Sequence, residues 1–432
     1  MSQKVDINLH HITRVEGHGN IVVNTNNGKI EKIEWQVSEA PRFFEAFVRG
    51  KDYNDLAHIT SRICGICSIG HTLASLKATE AALGVEISEQ TTFLRKLALH
   101  AENMQSHILH VGYLVAPDLF KVGSVFPLIK THTDAVLKII QLHRLANEMS
   151  DLICGRTTHP IGLVVGGFTQ VPTLAELKVL KSRLISSLDI ARQVAEILVD
   201  NAHMLPNFSR ETEYIGLTTD NEYALYDGVI GSTDTGKHPV KDYHSIVNEY
   251  VVPYSTAKHT KHKRESYMVG ALARFNLNSE KLSPIAKEIA GLFDLKPISF
   301  NPFMNNIAQL VEYVHSVEDS IIIIDALLMR GTKIEDPIEI KLKKGRGIGA
   351  VEVPRGILFH DYTIDKNGKC IKANCVIPTN QNHGNIQKDM EAMVPTLLDK
   401  PKEEIELNLE MLVRAYDPCI SCSTHYLKVK FI

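Results

Sequence analysis

Arg62-Ile63-Cys64-Gly65-Ile66-Cys67 near the amino end and Asp417-Pro418-Cys419-Ile420-Ser421-Cys422 near the carboxyl end place two C-x-x-C pairs at opposite ends of one chain. A C-x-x-C spacing lets two thiolates converge on one metal ion, and two such pairs supply a four-sulfur site. Zinc ribbons usually separate their pairs by about 15 to 20 residues, whereas here nearly the whole chain lies between them. A local staple needs no such distance, but a centre buried between remote parts of a large protein does. Spacing alone leaves two readings open: structural zinc, and a softer transition metal, rubredoxin-like iron included. His71, four residues after Cys67, and Asp417 and His425 around the second pair add the polar groups that a buried thiolate site needs to orient and tune it.

Composition bounds what such a centre sits in. The chain has 432 residues, 44% of them hydrophobic, so it can bury a large core. Its 47 basic and 50 acidic residues leave a net charge of −3, which recommends neither nucleic acid nor an anionic membrane as partner. No apolar run reaches the roughly 18 residues of a membrane span, so no direct span is expected. Met1 to His11 lacks a basic segment followed by an apolar one, so no secretory signal is expected either. Seven cysteines are too few for a disulfide scaffold of this length, which makes the cytoplasm the default compartment.

The expected fold is mainly α with small β elements (α+β): a β-containing amino-terminal segment over 1–60, a helical body over 61–335, and a β hairpin with the carboxyl-terminal metal-ligand segment over 336–432, all in one unit. Residues 20 to 37 alternate and break at Asn27-Gly28, which predicts a hairpin with a type I′ turn. From about 91 to 204 the pattern is helical. Pro172-Thr173 with Glu176 predicts a capping box, followed by a core stripe of Leu174, Leu177, Leu180, Leu184 and Leu188. Ile307 to Met329 predicts another long helix in which the run Ile321 to Ile324 is buried. Asn367-Gly368 predicts a second hairpin with a two-residue turn. Its register, counted from Lys366 opposite Lys369, sets Arg355 opposite Asn380 and next to Thr379. Gly345-Arg346-Gly347-Ile348-Gly349 lacks the spacing and the following helix of a dinucleotide loop. The basic stretch Lys258 to Arg264 reads as a solvated loop, with a structural role near a site entrance as the alternative.

In order along the chain, Arg14-Val15-Glu16-Gly17-His18, Phe43-Phe44-Glu45, the first cysteine pair with His71, Gly155-Arg156 with His159-Pro160, Gly166-Gly167-Phe168, Val353-Pro354-Arg355-Gly356, Pro378-Thr379, and Asp417 through Cys422 with His425 together resemble the large, catalytic subunit of a nickel–iron hydrogenase over nearly the whole chain. The resemblance implies a nickel bound by Cys64, Cys67, Cys419 and Cys422, with Cys67 and Cys422 also bridging to an iron that carries carbon monoxide and two cyanides. It implies that Arg355 and Thr379 hydrogen-bond the cyanides, and that Glu16 takes a proton from Cys419. Glu45, His425 and the backbone carbonyl of Cys375 would hold a nearby Mg²⁺ or iron. His71 and Asp417 would support the centre from behind, and Glu16, Cys419 and Arg355 form the catalytic set. The implied reaction is reversible heterolytic cleavage of H2.

Electrons must leave that centre. Cys154, Cys370 and Cys375 are the cysteines left over, one short of the four that an ordinary iron–sulfur cluster takes, so no cluster is expected in this chain and an iron–sulfur small subunit is the expected partner. The stretch Glu39 to Glu45, and Ser106 where many membrane-associated relatives have an aspartate, resemble the soluble multimeric class. That class couples hydrogen to NAD(P), deazaflavin, ferredoxin or a heterodisulfide reductase through further subunits. In most relatives a protease removes an extension after the counterpart of His425. Here Tyr426 to Ile432 follow, and the sequence leaves retention and processing both open, with an edge strand as the expected packing of this apolar tail. Two readings compete with an enzyme: a non-catalytic relative of the complex I subunit that shares the fold, and a zinc-stabilised scaffold.

Overall fold

The computed structural model describes residues 6–26 and 29–424. Strands β1 (Asp6–Leu9), β2 (Gly19–Asn26) and β3 (Lys29–Val37) form an antiparallel sheet in the order β1-β2-β3. Asn26 pairs with Lys29, which leaves the two-residue connection expected; the geometry of Asn27-Gly28 itself lies outside the described residues. Alternation decides which side is buried: Ile21, Val23, Trp35 and Val37 face the core.

The helical body is built on α1 (Ser68–Leu83), α2 (Glu89–Leu109), α3 (Thr133–Cys154) and α4 (Leu174–Asn201). Thr173 caps α4 as predicted: its hydroxyl accepts from the Glu176 N–H at 3.2 Å while the Glu176 carboxylate accepts from the Thr173 N–H at 2.8 Å. Leu177, Leu180 and Leu184 are buried, Leu188 packs on the core edge, and Leu174 in the first turn is exposed. The body is not purely helical. Strand β4 (Glu213–Thr218) and short strands at Val229–Ser232, Gly236–His238 and Tyr267–Met268 make a four-stranded sheet inside it.

The basic stretch is not a solvated loop. His259–Lys261 pairs with Asn248–Tyr250, Lys258 is buried on Glu249 at 2.8 Å, His262 meets Glu213 at 2.6 Å, and Arg264 bridges Glu211 and Asp234. Lys258, His262 and Arg264 each have a carboxylate that sequence adjacency does not reveal, while Lys261 and Lys263 are exposed. After α5 (Ala271–Asn278) comes α6 (Asn305–Arg330), antiparallel to α2. Within the expected Ile321 to Ile324 run only Ile323 and Ile324 are buried, and Ile322 faces solvent, because four consecutive residues of a helix cannot share one face. Between α2 and α6 a polar seam keeps one register: His100 on Asp319, His107 on Glu312 and His110 on Gln309.

The last sheet runs β5 (Gly345–Val353), β6 (Gly356–Ile364) and β7 (Cys370–Val376). The glycines of Gly345-Arg346-Gly347-Ile348-Gly349 have a packing reason. A Cβ at Gly345, Gly347 or Gly349 would stand 2.0–2.1 Å from the carbonyl oxygens of Ala82, Ala78 and Ala74, so α1 lies directly on β5. The expected two-residue turn does not form. Gly368 has φ +79° while Asn367 stays out of the left-handed region, and the Gly368 N–H donates to Asp365 O at 3.1 Å. The loop is a type I turn closed by a left-handed glycine. An irregularity between Thr363 and Ile364 then restores the expected register, from Thr363 opposite Lys372 to Phe359 opposite Val376. Pairing stops there, and Pro378 opens helix α7 (Pro378–Met393), so Arg355 and Asn380 are not ladder partners. Helix α8 (Lys402–Ala415) leads to the second cysteine pair. His425 and the tail Tyr426 to Ile432 lie outside the described residues. Among those described, no helix is long and apolar enough to cross a membrane.

Candidate metal centre

Cys64 follows a 3-10 turn in extended conformation, and Cys67 occupies the amino-terminal cap of α1. Cys419 caps the short turn Ile420–Ser423. The Sγ atoms of Cys64, Cys419 and Cys422, all buried, lie within 4.8 Å of one another, and Cys64 and Cys419 approach to 3.6 Å across 355 residues of sequence. Cys67 is equally buried beside them and its N–H donates to Cys64 Sγ at 3.1 Å, but its sulfur stands outside the three-atom set. Cys419 and Cys422 are joined as a disulfide. Thiolates, not disulfide sulfurs, bind metal, so the metal-binding form is the one with this pair reduced.

Electrostatics favour an ionised Cys64 beside a protonated Cys67. Burial pushes the Cys64 thiol up, but hydrogen bonds from Cys67 and the Arg355 charge outweigh it and hold it below the ordinary thiol range. Cys67 moves up, because its thiol donates to Cys64 and burial adds to that. Burial works against the Arg355 cation, yet Asp417 and the nearby thiols keep it charged. A closed, soft, cation-flanked donor set of this kind suits a soft transition metal.

Two remote segments are tied together to make it. Glu16 pairs alongside Cys419; its carbonyl accepts from the Ile420 N–H at 2.9 Å, and its half-buried carboxylate accepts from the Ser421 N–H at 3.0 Å. Gly17 (φ +85°) permits this approach, since a Cβ there would lie 2.8 Å from Ile420 Cβ and 2.9 Å from Ser421 N. Arg42 donates to Ile63 O at 2.6 Å and also to Ser421 O, clamping one cysteine segment to the other. Asp118 accepts from Arg14 at 2.5 Å and from Arg414 at 2.8 and 3.0 Å, which joins the Glu16 segment to the end of α8.

Arg355 and Thr379 both reach the segment 417–419. Arg355 donates to Asp417 O at 2.5 Å and Oδ1 at 2.7 Å, and to Ser106 Oγ at 3.3 Å; Thr379 Oγ1 accepts from the Cys419 N–H at 3.1 Å, which leaves its hydroxyl proton to donate. Asp417 adopts φ +49° and also accepts from Gln309 at 2.9 Å. Glu45 is buried and accepts from the Cys375 N–H at 2.9 Å, so two of the residues expected at the second metal site are in contact. His71, one turn beyond Cys67, meets His360 at 3.1 Å, and His360 meets Tyr362 at 2.6 Å. The Arg62 side chain is exposed; the cations at the centre are Arg355 and Arg42. Sequence reasoning gave no role to Arg42, Asp118 or Arg414. Nor did it find Glu102, which is buried and accepts from the Ile69 and Gly70 N–H groups at the start of α1 at 2.7 to 3.1 Å.

Comparison with known proteins agrees with this construction. Residues 42–135 and 215–425 match the family model described as nickel-dependent hydrogenase. The chain is 33% identical to the alpha chain of sulfhydrogenase 2 from Pyrococcus furiosus, over 98% of this chain and 100% of that one. It is 32% identical to an F420-non-reducing hydrogenase subunit of Methanothermobacter thermautotrophicus, over 98% and 95%. Among solved structures, an NAD+-reducing nickel–iron hydrogenase in its H2-reduced state superposes with a TM-score of 0.87 at 25% identity, covering 98% of this chain and 99% of that one.

Proposed function

The chain belongs to the nickel-dependent hydrogenase family as a large subunit, an oxidoreductase acting on H2, and from that premise we propose which of its residues do the chemistry. Cys64, Cys67, Cys419 and Cys422 would hold the nickel, and Cys67 and Cys422 would also hold the iron. The observation that carries this reading is the meeting of sulfurs 355 residues apart at one buried point. Bound there, the metal pair supplies the Lewis acidity and redox capacity that splitting H2 requires.

The protein's own part is to place charge and move a proton. The sulfur of Cys419 holds the proton first and the Glu16 carboxylate, fixed on the adjoining Ser421 N–H, receives it and passes it outward. Arg355 and Thr379 would offer N–H and O–H groups to the cyanides of an iron that also carries carbon monoxide. Asp417 orients the Arg355 guanidinium, and His71, backed by His360, supports the first cysteine pair from α1. Glu45, the Cys375 carbonyl and His425 hold a Mg²⁺ or iron near the site.

Electrons leave to an iron–sulfur small subunit, and the names of the relatives, each one subunit among several, support a multi-subunit complex. We place that complex in the cytoplasm, with NAD(P), deazaflavin, ferredoxin or a heterodisulfide reductase as the acceptor class. The test is elemental and infrared analysis of the purified complex with its Glu16→Gln variant. Nickel with metal-bound carbon monoxide and cyanide bands is expected in both, and H2 oxidation is expected to fall at least about 100-fold in the variant, the range lost with a general acid–base group. Zinc without those bands would support the scaffold reading, absence of any metal would support the non-catalytic relative, and full activity of the variant would remove Glu16 from its role.

A further inference from the structure

Arg274 lies in α5, outside every segment assigned to the centre, and is fully buried. A guanidinium has five N–H donors, and here each has an acceptor. Nε donates to Glu312 Oε1 at 2.6 Å and Nη2 to Glu312 Oε2 at 2.6 Å. Nη1 donates to Glu352 Oε2 at 2.8 Å. The remaining two bonds go to main chain: Nη1 to Val353 O at 2.9 Å and Nη2 to Pro354 O at 3.0 Å. Those carbonyls immediately precede Arg355. From the other side Glu312 accepts from His107 at 2.8 Å, and the neighbouring Ser106 accepts from Arg355 at 3.3 Å.

We propose that Arg274 is the positioning residue of the centre: by holding the carbonyls of Val353 and Pro354 against the two carboxylates, it sets the place from which Arg355 reaches Asp417 and the metal ligands. Stability alone would be served by the two carboxylate contacts. The two carbonyl bonds add nothing to charge balance, and they fall on the peptides that determine where the Arg355 side chain begins. A lysine at 274 would keep the charge but has three donors and no planar fork, so it cannot span both carboxylates and both carbonyls.

The inference rests on the reading of Arg355 as a partner of the iron's cyanides, and the test separates the two. Arg274→Lys is made in the complex, and its crystal structure, nickel content and infrared spectrum are compared with the parent complex. Expected are retained nickel, an Arg355 guanidinium displaced from Asp417, shifted or split cyanide bands, and H2 oxidation lowered by up to about 100-fold, the cost of roughly 1 Å of misplacement. Unmoved Arg355 and unchanged bands, whatever the thermal stability, would overturn the inference. Absence of cyanide bands from the parent complex would instead overturn the reading of the centre. Should Arg274→Lys fail to fold, the charge-balanced pair Arg274→Gln with Glu352→Gln is read in the same way. Failure of both to accumulate would make Arg274 a residue of the fold alone.

Discussion

Replacing Asp118 by asparagine tests how the two ends of the chain are held at one point. The Asp118 carboxylate is buried and receives three guanidinium N–H bonds, one from Arg14 at 2.5 Å and two from Arg414 at 2.8 and 3.0 Å. Arg14 is two residues before Glu16, and Arg414 is three before Asp417. Arg414 is itself buried. In the variant the amide keeps one acceptor but turns an NH2 toward a guanidinium and removes the charge that compensates both cations. Breaking a buried ion pair from one side costs about 3–5 kcal/mol. An asparagine that retains one acceptor should fall near the lower end, about 3 kcal/mol, visible as a lower urea midpoint with an unchanged slope. Hydrogen exchange should rise at Ile420 and Ser421, whose N–H groups bond Glu16. Arg264→Gln, which breaks partly exposed pairs with Glu211 and Asp234, is the control and should cost no more than about 1 kcal/mol. A midpoint for Asp118→Asn no lower than that of the control, or exchange at Ile420 and Ser421 unchanged, would mean that Asp118 does not hold the two ends together.

Gly347→Ala should displace α1 from β5, because its Cβ would stand 2.1 Å from Ala78 O and 2.3 Å from Ala82 N, backbone atoms that cannot yield singly. A loss of at least about 2 kcal/mol by urea unfolding is expected, with lower nickel content because α1 carries Cys67 at its cap. Glu352 provides a pH test. Burial, only partly offset by Arg274, pushes its carboxyl up from 4.5 to about 7. A raised folded-state value means that stability is fully present below about pH 4.5 and is lost as pH rises through about 7. Relative to Glu352→Gln, the parent protein should therefore lose roughly 3 kcal/mol between pH 4.5 and 7.5, at 1.36 kcal/mol per unit. Parallel stability curves for the two proteins across that range would count against it.

How far the sequence could be read depended on how local the cause was. The capping box at Thr173 and Glu176 and the hairpin around Gly368 rest on residues a few positions apart, and both formed, although the loop took a three-residue form because Asn367 stayed out of the left-handed region. The cysteine pairs were legible because metal binding imposes a spacing, and their distance along the chain already argued for a centre between remote segments. Asp118, Arg42 and Arg274 were not legible. Each is an ordinary charged residue whose partners, Arg414, Ser421 and Pro354, lie from about 80 to nearly 380 positions away. The basic stretch at Lys258 resisted reading for the same reason: its compensating carboxylates come from Glu249, Glu213, Asp234 and Glu211. The alternating glycines of β5 carried a visible signal, small residues facing Ala74, Ala78 and Ala82 of α1, but pairing the two sets needed the tertiary fold.

Whether sulfurs from both ends of the chain bind one nickel can be read by nickel-edge X-ray absorption on the purified complex, with Cys64→Ser and Cys422→Ser variants alongside. Expected are a nickel surrounded by sulfur in the parent complex and a depleted or oxygen-containing shell in each variant, one from either end of the chain. A nickel shell of nitrogen and oxygen in the parent complex, or one unchanged when either cysteine is removed, would mean that they do not.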